Sequence, residues 1–404
     1  MAPENGNFTA YGANNAYLIG TVQIDSLQAC QDFEFSYVSD SSFGSTNNQF
    51  QIDVWNAEND CDTPWTGNGC PSSSDPNCIP CSGPLCDGIC EPVVEEFTTG
   101  GSGGSKILYS NQTDNTISAI TANQNTVSTD PTDCPGFNHN YVIQEDLLVD
   151  TDWCHSMAIA GPAEGVVFME GRKIVIPSGV TARFEGIQFE SCSDIFWDAI
   201  EVQKGGTLLM TDCDIKDGRN AIRAENGANL NIQNCNFTDN YVGIYMEGID
   251  DFNNNEAINL TLRGNNFSGT GQLAAAYSGQ SPMPSDLPFA GIQLQKVKFV
   301  DLSSFGDNAT NYFDNMYNGI VSSASSFVIG GAQFSNMIRP NDTNGISGYG
   351  IFASNRGRLY NYMRLQPSLT ESLFTNMPVG ISMRNMAANI DEAIMQNIDT
   401  GVEV

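Results

Sequence analysis

Short runs of alternating apolar and polar residues run through this chain, and helical periods are scarce. A period of two is the mark of a strand with one face in a core. From about residue 171 the runs settle into a repeat. One tetrapeptide, a small residue followed by an aliphatic one and two strand residues, recurs eight times. The copies are Ala199-Ile200-Glu201-Val202, Ala221-Ile222-Arg223-Ala224, Gly243-Ile244-Tyr245-Met246, Gly291-Ile292-Gln293-Leu294, Gly319-Ile320-Val321-Ser322, Gly350-Ile351-Phe352-Ala353, Gly380-Ile381-Ser382-Met383 and Gly401-Val402-Glu403-Val404. Their spacings are 22, 22, 48, 28, 31, 30 and 21 residues. The shortest spacing is read as one coil and the excess as loop.

A second element precedes the first. Leu208-Leu209-Met210, Leu230-Asn231-Ile232 and Leu260-Thr261-Leu262 are short alternating strands. They lead to turns of the form aromatic, Ser or Thr, then a turn residue, such as Phe237-Thr238-Asp239, Phe267-Ser268-Gly269, Phe334-Ser335-Asn336 and Phe374-Thr375-Asn376. Coils of two or three short strands explain both elements. One face of each strand points into a narrow interior, and like residues stack from coil to coil. The small residue before the aliphatic one is expected at a tight corner. Asn, Asp, Ser and Thr satisfy backbone groups at the turns.

On these eight copies, residues 171–404 resemble the right-handed parallel β-helix repeat family, the pectate-lyase-like solenoid also found in large bacterial surface and secreted proteins. The resemblance implies a mainly β fold. It is specific for fold and open for function, because such coils serve lyases, hydrolases, adhesins and tailspikes alike. The strand-like end at Gly401–Val404 predicts further coils, and hence a chain truncated from a longer one.

The region before the solenoid divides by composition. Residues 1–58 alternate in runs such as Thr21-Val22-Gln23-Ile24 and Phe33-Glu34-Phe35-Ser36-Tyr37, and read as a β-rich N-terminal region. Residues 59–99 are rich in Asp, Pro, Gly, Ser and Cys, with few large apolar side chains, and need disulfides to hold them. Residues 100–105, Gly-Gly-Ser-Gly-Gly-Ser beginning at Gly100, read as a flexible linker. Residues 106–170 are a lead-in segment without a clear pattern.

Cysteine and charge narrow the setting. Of 12 cysteines, Cys61, Cys70, Cys78, Cys81, Cys86 and Cys90 form one cluster. An even, clustered set predicts disulfides and an extracellular or cell-surface location, with a metal cluster as the alternative. Cys213 and Cys235 fall 22 residues apart at the same coil position. They are a further disulfide candidate, with stacked free thiols as the alternative. Residues 1–171 hold one basic residue against 23 acidic, or 1 − 23 = −22, of the total of −31. Such a surface repels nucleic acid. It suits Ca²⁺ as the one expected cofactor, and equally suits plain solvation. No apolar run is long enough to insert in a membrane.

Candidate chemistry is sparse. The only histidines are His139 and His155, outside the repeat. No carboxylate pair in the coils stands out as a glycosidase pair, so no catalytic residue is assigned. Asp198, Asp212, Asp214 and Asp217, with Lys216, Arg219 and Arg223, offer either a calcium-dependent site or an ordinary charged face. Arg356, Arg358, Tyr360, Tyr362 and Arg364 alternate along one strand and form a basic aromatic strip fit for an anionic glycan or a partner chain. The expectation is an extracellular structural or adhesive segment, projecting or assembling on the cell surface as part of a large adhesin or appendage. Its partners would be other copies, further coils or a cell-surface glycan. The alternative is a polysaccharide lyase or hydrolase acting on an acidic glycan.

Overall fold

The computed structural model describes residues 9–11, 16–18, 106–110, 115–122, 139–156, 165–250, 254–280, 286–304, 309–339, 347–355, 362–365 and 372–404. The chain divides into two compact units, Met1–Ile89 and Cys90–Val404. In the first, Thr9–Tyr11 pairs antiparallel with Ala16–Leu18. The cysteine cluster from Cys61 to Cys90 and the linker at 100–105 lie outside the described residues.

The second unit is a parallel β-solenoid, a long parallel sheet curled nearly closed. Each full coil contributes strands to three ladders. The first ladder starts with Lys106–Ser110, His139–Ile143 and Gly165–Phe168 and continues through Gln188–Ser191, Asp214–Lys216, Asn236–Thr238 and Asn266–Ser268 toward the last coil. The second runs from Leu147–Leu148 and Ile174–Ile176 through Trp197–Val202, Gly218–Glu225 and Val242–Glu247. The third joins Trp153–Ser156, Thr181–Glu185, Thr207–Thr211, Asn229–Gln233 and Asn259–Arg263. It then resumes as a separate set, Val300–Asp301, Phe327–Ile329, Tyr362–Leu365 and Ala387–Ile390. The coils therefore begin upstream of Lys173, inside the segment that has no legible pattern in the sequence.

The repeat falls in register. Ile200, Ile222, Ile244, Ile292, Ile320, Ile351, Ile381 and Val402 form one column along the second ladder. The isoleucines are fully buried. Beside them Phe237, Phe267, Phe313, Phe334 and Phe374 stack face to face, with ring centroids 4.6, 4.8, 4.7 and 4.8 Å apart. This spacing matches the distance between paired strands, so each ring meets the next without leaving its coil.

The phenylalanine stack explains the small residue of the tetrapeptide, and corrects its expected place at a corner. Gly243 and Gly350 lie within strands. A Cβ at Gly243 would stand 2.7 Å from Cδ1 of Phe267, and one at Gly350 would stand 2.6 Å from Cδ1 of Phe374. The ring of the following coil fills the space a side chain needs.

The corners use different residues. Between the first and second ladders the chain turns through a left-handed residue on six coils, Asp217, Asp239, Asn315, Asn336, Asn376 and Asn397, with φ between 52° and 59°; the coil of Asn266–Ser268, between those of Asp239 and Asn315, is not one of them. Asn and Asp tolerate this region better than other side chains with a Cβ. Their side chains also link coils. Asn376 Nδ2 donates to Asn336 Oδ1 at 3.3 Å, and Asn397 Nδ2 donates to Asn376 Oδ1 at 3.2 Å.

The corner before the first ladder holds an inward column of Cys213, Cys235, Asn265 and Asn311. Cys213 and Cys235 stack there as their spacing predicts, but both are free and buried, so the disulfide expected between them is not formed. Each thiol donates to a carbonyl of its own coil, Cys213 to Thr211 and Cys235 to Gln233, both at 3.3 Å. In-register side chains run parallel, whereas a disulfide needs Cβ atoms that converge to about 3.8 Å. The next two members of the column, Asn265 and Asn311, likewise donate to carbonyls, those of Ile232 and Leu262, at 3.0 Å each.

Candidate functional site

The long insertion after Phe267 folds back over earlier coils. Ala275 pairs with Ile195 as an isolated parallel bridge. The amide of Phe196 donates to the Ala275 carbonyl at 2.9 Å, and that of Ala275 to the Asp194 carbonyl at 2.7 Å. These bonds place Tyr277 against Gly171, where an added Cβ would stand 2.9 Å from the ring. The Tyr277 hydroxyl donates to Asp198 Oδ1 at 2.8 Å. Gln280 Nε2 donates to the same hydroxyl at 3.2 Å.

Under this strap lies Arg219. The ladder register sets it between Asp198 on the preceding coil and Tyr241 on the following one. Its Nη1 is buried and meets no acceptor among the described residues. Among the described residues seven other basic side chains stand in ion pairs, including Arg172 with Glu145 at 2.9 Å and Arg223 with Glu247 at 3.1 Å. Nε of Arg223 shares with Nη1 of Arg219 the lack of an acceptor. Tyr241 continues the outer row and stacks on Phe289 at 5.6 Å. Phe196 meets Tyr241 edge-on at 6.5 Å.

The electrostatics fix the state of the hydroxyls. Burial, together with the bond to Asp198, pushes the Tyr277 phenol up to about 12, against the opposing pull of Arg219. Burial also raises Tyr241, again opposed by Arg219. Both phenols are protonated donors at neutral pH. One corner away, burial pushes the Asp217 carboxyl up to about 7; Asp239 and Glu190 add to the shift, and Lys216 opposes it.

Of the acidic and basic residues singled out in the sequence, Asp198 and Arg219 share this site. Asp214 accepts from Asn236 at 2.7 Å on the outer face of the first ladder. Arg223 is committed to Glu247. Among the described residues no group of three His, Cys, Asp or Glu side chains could hold a metal ion. Arg356, Arg358 and Tyr360 lie outside the described residues. Tyr362 and Arg364 belong to the strand Tyr362–Leu365, opposite Ala387 and Asn389. Tyr277 escaped the sequence reading because its link to Asp198 spans 79 positions.

A concavity of about 320 Å³ lies where the third ladder breaks. Thr207, Leu209, Asn231, Thr261, Phe299 and Asp301 contribute to its wall. Cys154, within the strand Trp153–Ser156, and Cys192, directly after Gln188–Ser191, are each disulfide-bonded.

No protein-family model and no curated protein matches the chain. Among solved structures the chain is similar to an alginate lyase from Paenibacillus sp. str. FPU-7, with a TM-score of 0.32 and 11% identity, over 74% of this chain and 99% of that one.

Proposed function

We propose that the chain is an extracellular structural and adhesive segment, a right-handed parallel β-helix that projects from or assembles on a cell surface and binds through the flank of its coils. The observation that carries the binding reading is the state of Tyr277. A phenol pushed up to about 12 and already donating to Asp198 is a poor proton acceptor at neutral pH, but a good fixed donor. Arg219 beside it is a fixed cation. Such groups hold a ligand in place without the need to move a proton. The columns of isoleucine, phenylalanine and asparagine favour a stiff rod, since each coil is tied to the next by the same contacts. The disulfide-bonded state of Cys154 and Cys192 favours an oxidising location, and a disulfide-held segment at 59–99 accords with it. Partners in this reading are further coils, other copies and a cell-surface glycan, with Ca²⁺ as a further ligand of the acidic surface.

One observation favours a second reading, a polysaccharide lyase or hydrolase. The Asp217 carboxyl titrates near neutrality, where an acid or base is most effective. Purified protein incubated with a panel of acidic glycans, with and without EDTA, separates the two. Retention on glycan without new reducing ends or unsaturated products supports adhesion. Turnover that is lost in Asp217→Asn overturns it.

A further inference from the structure

The insertion after Phe267 is longer than its corner requires. On the preceding coil residues 239–241 are enough to turn from Asn236–Thr238 into Val242–Glu247. Here residues 269–289 separate Asn266–Ser268 from Ala290–Gln295. Residues 270–280 are exposed or half-buried throughout and add no side chain to the interior. Ordering them costs conformational entropy, which bonds to the coils must offset.

Those bonds lead back along the solenoid axis. Thr270 donates its amide and hydroxyl to Asp239, one coil back, at 2.6 Å each. Ala275 exchanges backbone bonds with Asp194 and Phe196, three coils back, at 2.7 and 2.9 Å. The Tyr277 hydroxyl donates to Asp198 of that same coil at 2.8 Å. The Tyr277 ring lies on Gly171, four coils back, and fills the space of a Cβ there. Gly171 also has a φ of 63°, so glycine meets two demands at this point.

In a solenoid each coil is held by its neighbours alone, and loss of structure spreads from an end one coil at a time. A tie between coils that do not touch changes this. The coil of Gly165–Phe168 cannot leave the stack until Tyr277 has been released, and the next cannot leave until Ala275 has been released too. We propose that residues 270–280 are a clasp that makes the five coils from Gly165–Phe168 to Asn266–Ser268 open as one cooperative unit. The clasp is a conformational device of the fold, and it stands whether or not the flank of the coils binds a glycan.

Hydrogen exchange of the whole chain in sub-denaturing urea, read by mass spectrometry, tests it. In the parent protein the amides of Ile174–Ile176, Trp197–Val202 and Gly218–Glu225 are expected to open with one shared urea dependence. Tyr277→Phe removes one hydroxyl and leaves the ring on Gly171. It should speed exchange about tenfold, the worth of a hydrogen bond to a carboxylate, and equally in all three strands, while Tyr349–Ser354 stays unchanged. Ala275→Pro removes the N–H that Asp194 accepts, and should act in the same way. With both substitutions, Ile174–Ile176 should open separately from Gly218–Glu225. Both positions lie outside the interior, and Tyr277→Phe is mild enough to read alone if the proline variant does not fold. Faster exchange confined to residues 194–198 and Gly171 would show a local loop contact and overturn the clasp. So would parent coils that already open separately, or Phe196 and Ala275 amides that exchange as fast as those of exposed loops.

Discussion

Asp217 and Asp239 occupy the same left-handed corner on adjacent coils, one strand spacing apart. Asp239 receives the Thr270 amide and hydroxyl, each at 2.6 Å. Among the described residues Asp217 meets no such donor beyond Lys216, at 3.6 Å, and is forced toward its neutral form by burial and, less, by Asp239.

This relation makes stability depend on pH. The folded pKa of Asp217, about 7, lies above the ordinary value of 3.8. Between these values the folded state binds more protons than the unfolded one, so stability falls as pH rises from about 4 to about 7 and levels off above. The loss is on the order of a few kcal/mol. Asp217→Asn should remove it, because Asn already fills this corner at Asn336 and Asn376 with comparable backbone geometry. Denaturant melts of both proteins at pH 5 and pH 8 provide the check. The variant should gain stability relative to the parent at pH 8, and parallel curves at both pH values would sink the idea.

The glycine of the repeat is a packing requirement. Gly319→Ala would drive a methyl group into the ring of Phe334, which is held on both sides by Phe313 and Phe374. A ring clamped in a stack cannot swing away, so the substitution should cost about 1–3 kcal/mol or more. The same change at Gly179, where nothing lies within 4 Å, meets no clash and has only its φ of 78° against it. Making room with Gly319→Ala plus Phe334→Leu should recover part of the loss. A double-mutant cycle in urea reads the coupling directly.

Much of the solenoid was legible because stacking demands the same residue in each coil. The isoleucine column recurs within one tetrapeptide, so the sequence showed it despite spacings from 21 to 48 residues. The packing of each glycine against the phenylalanine of the following coil was not legible, because the two are far apart in sequence and the glycine reads equally well as a corner residue. The early coils were not legible, since different rings fill them: Trp153 packs edge-on against Phe184 at 4.9 Å, and Phe168 stacks on Trp197 at 4.2 Å. The second stretch of the third ladder also escaped, because Phe327 pairs with Met363 and Val300, residues with no shared pattern around them. The Arg219 site was half visible. Asp198 and Arg219 were singled out for charge, but Tyr277 reaches them from an insertion whose path no local pattern encodes.

Cys213 and Cys235 should behave as two buried thiols. The contact with Cys213, and after it burial, push the Cys235 thiol up, which disfavours the reactive thiolate. Native protein should therefore resist alkylation at both positions, while denatured protein, without reductant, should be labelled at both. A peptide map showing them linked to each other in the unreduced protein would contradict the free pair. Replacing both with Ala should cost more than replacing both with Ser, since Ser keeps a donor in reach of the carbonyls of Thr211 and Gln233.

The asparagine corner separates two contributions that usually travel together. Asn376 holds a φ of 54° and also carries amide bonds to Asn336 on one side and from Asn397 on the other. Asn376→Ala loses both the tolerance for this backbone region, worth about 1–2 kcal/mol, and the bonds. Asn376→Gly keeps the tolerance and loses only the bonds. These are exposed, so their loss should amount to about 0.5–1 kcal/mol. Asn376→Asp keeps the backbone preference but gives up the donor to Asn336, and its carboxylate can still accept from Asn397. The expected order of stability is Asn, then Asp or Gly, then Ala. Urea midpoints at neutral pH measure it. If Gly is no better than Ala, backbone strain is not what selects the corner residue. If Gly equals Asn, the amide ladder contributes nothing to holding the coils together.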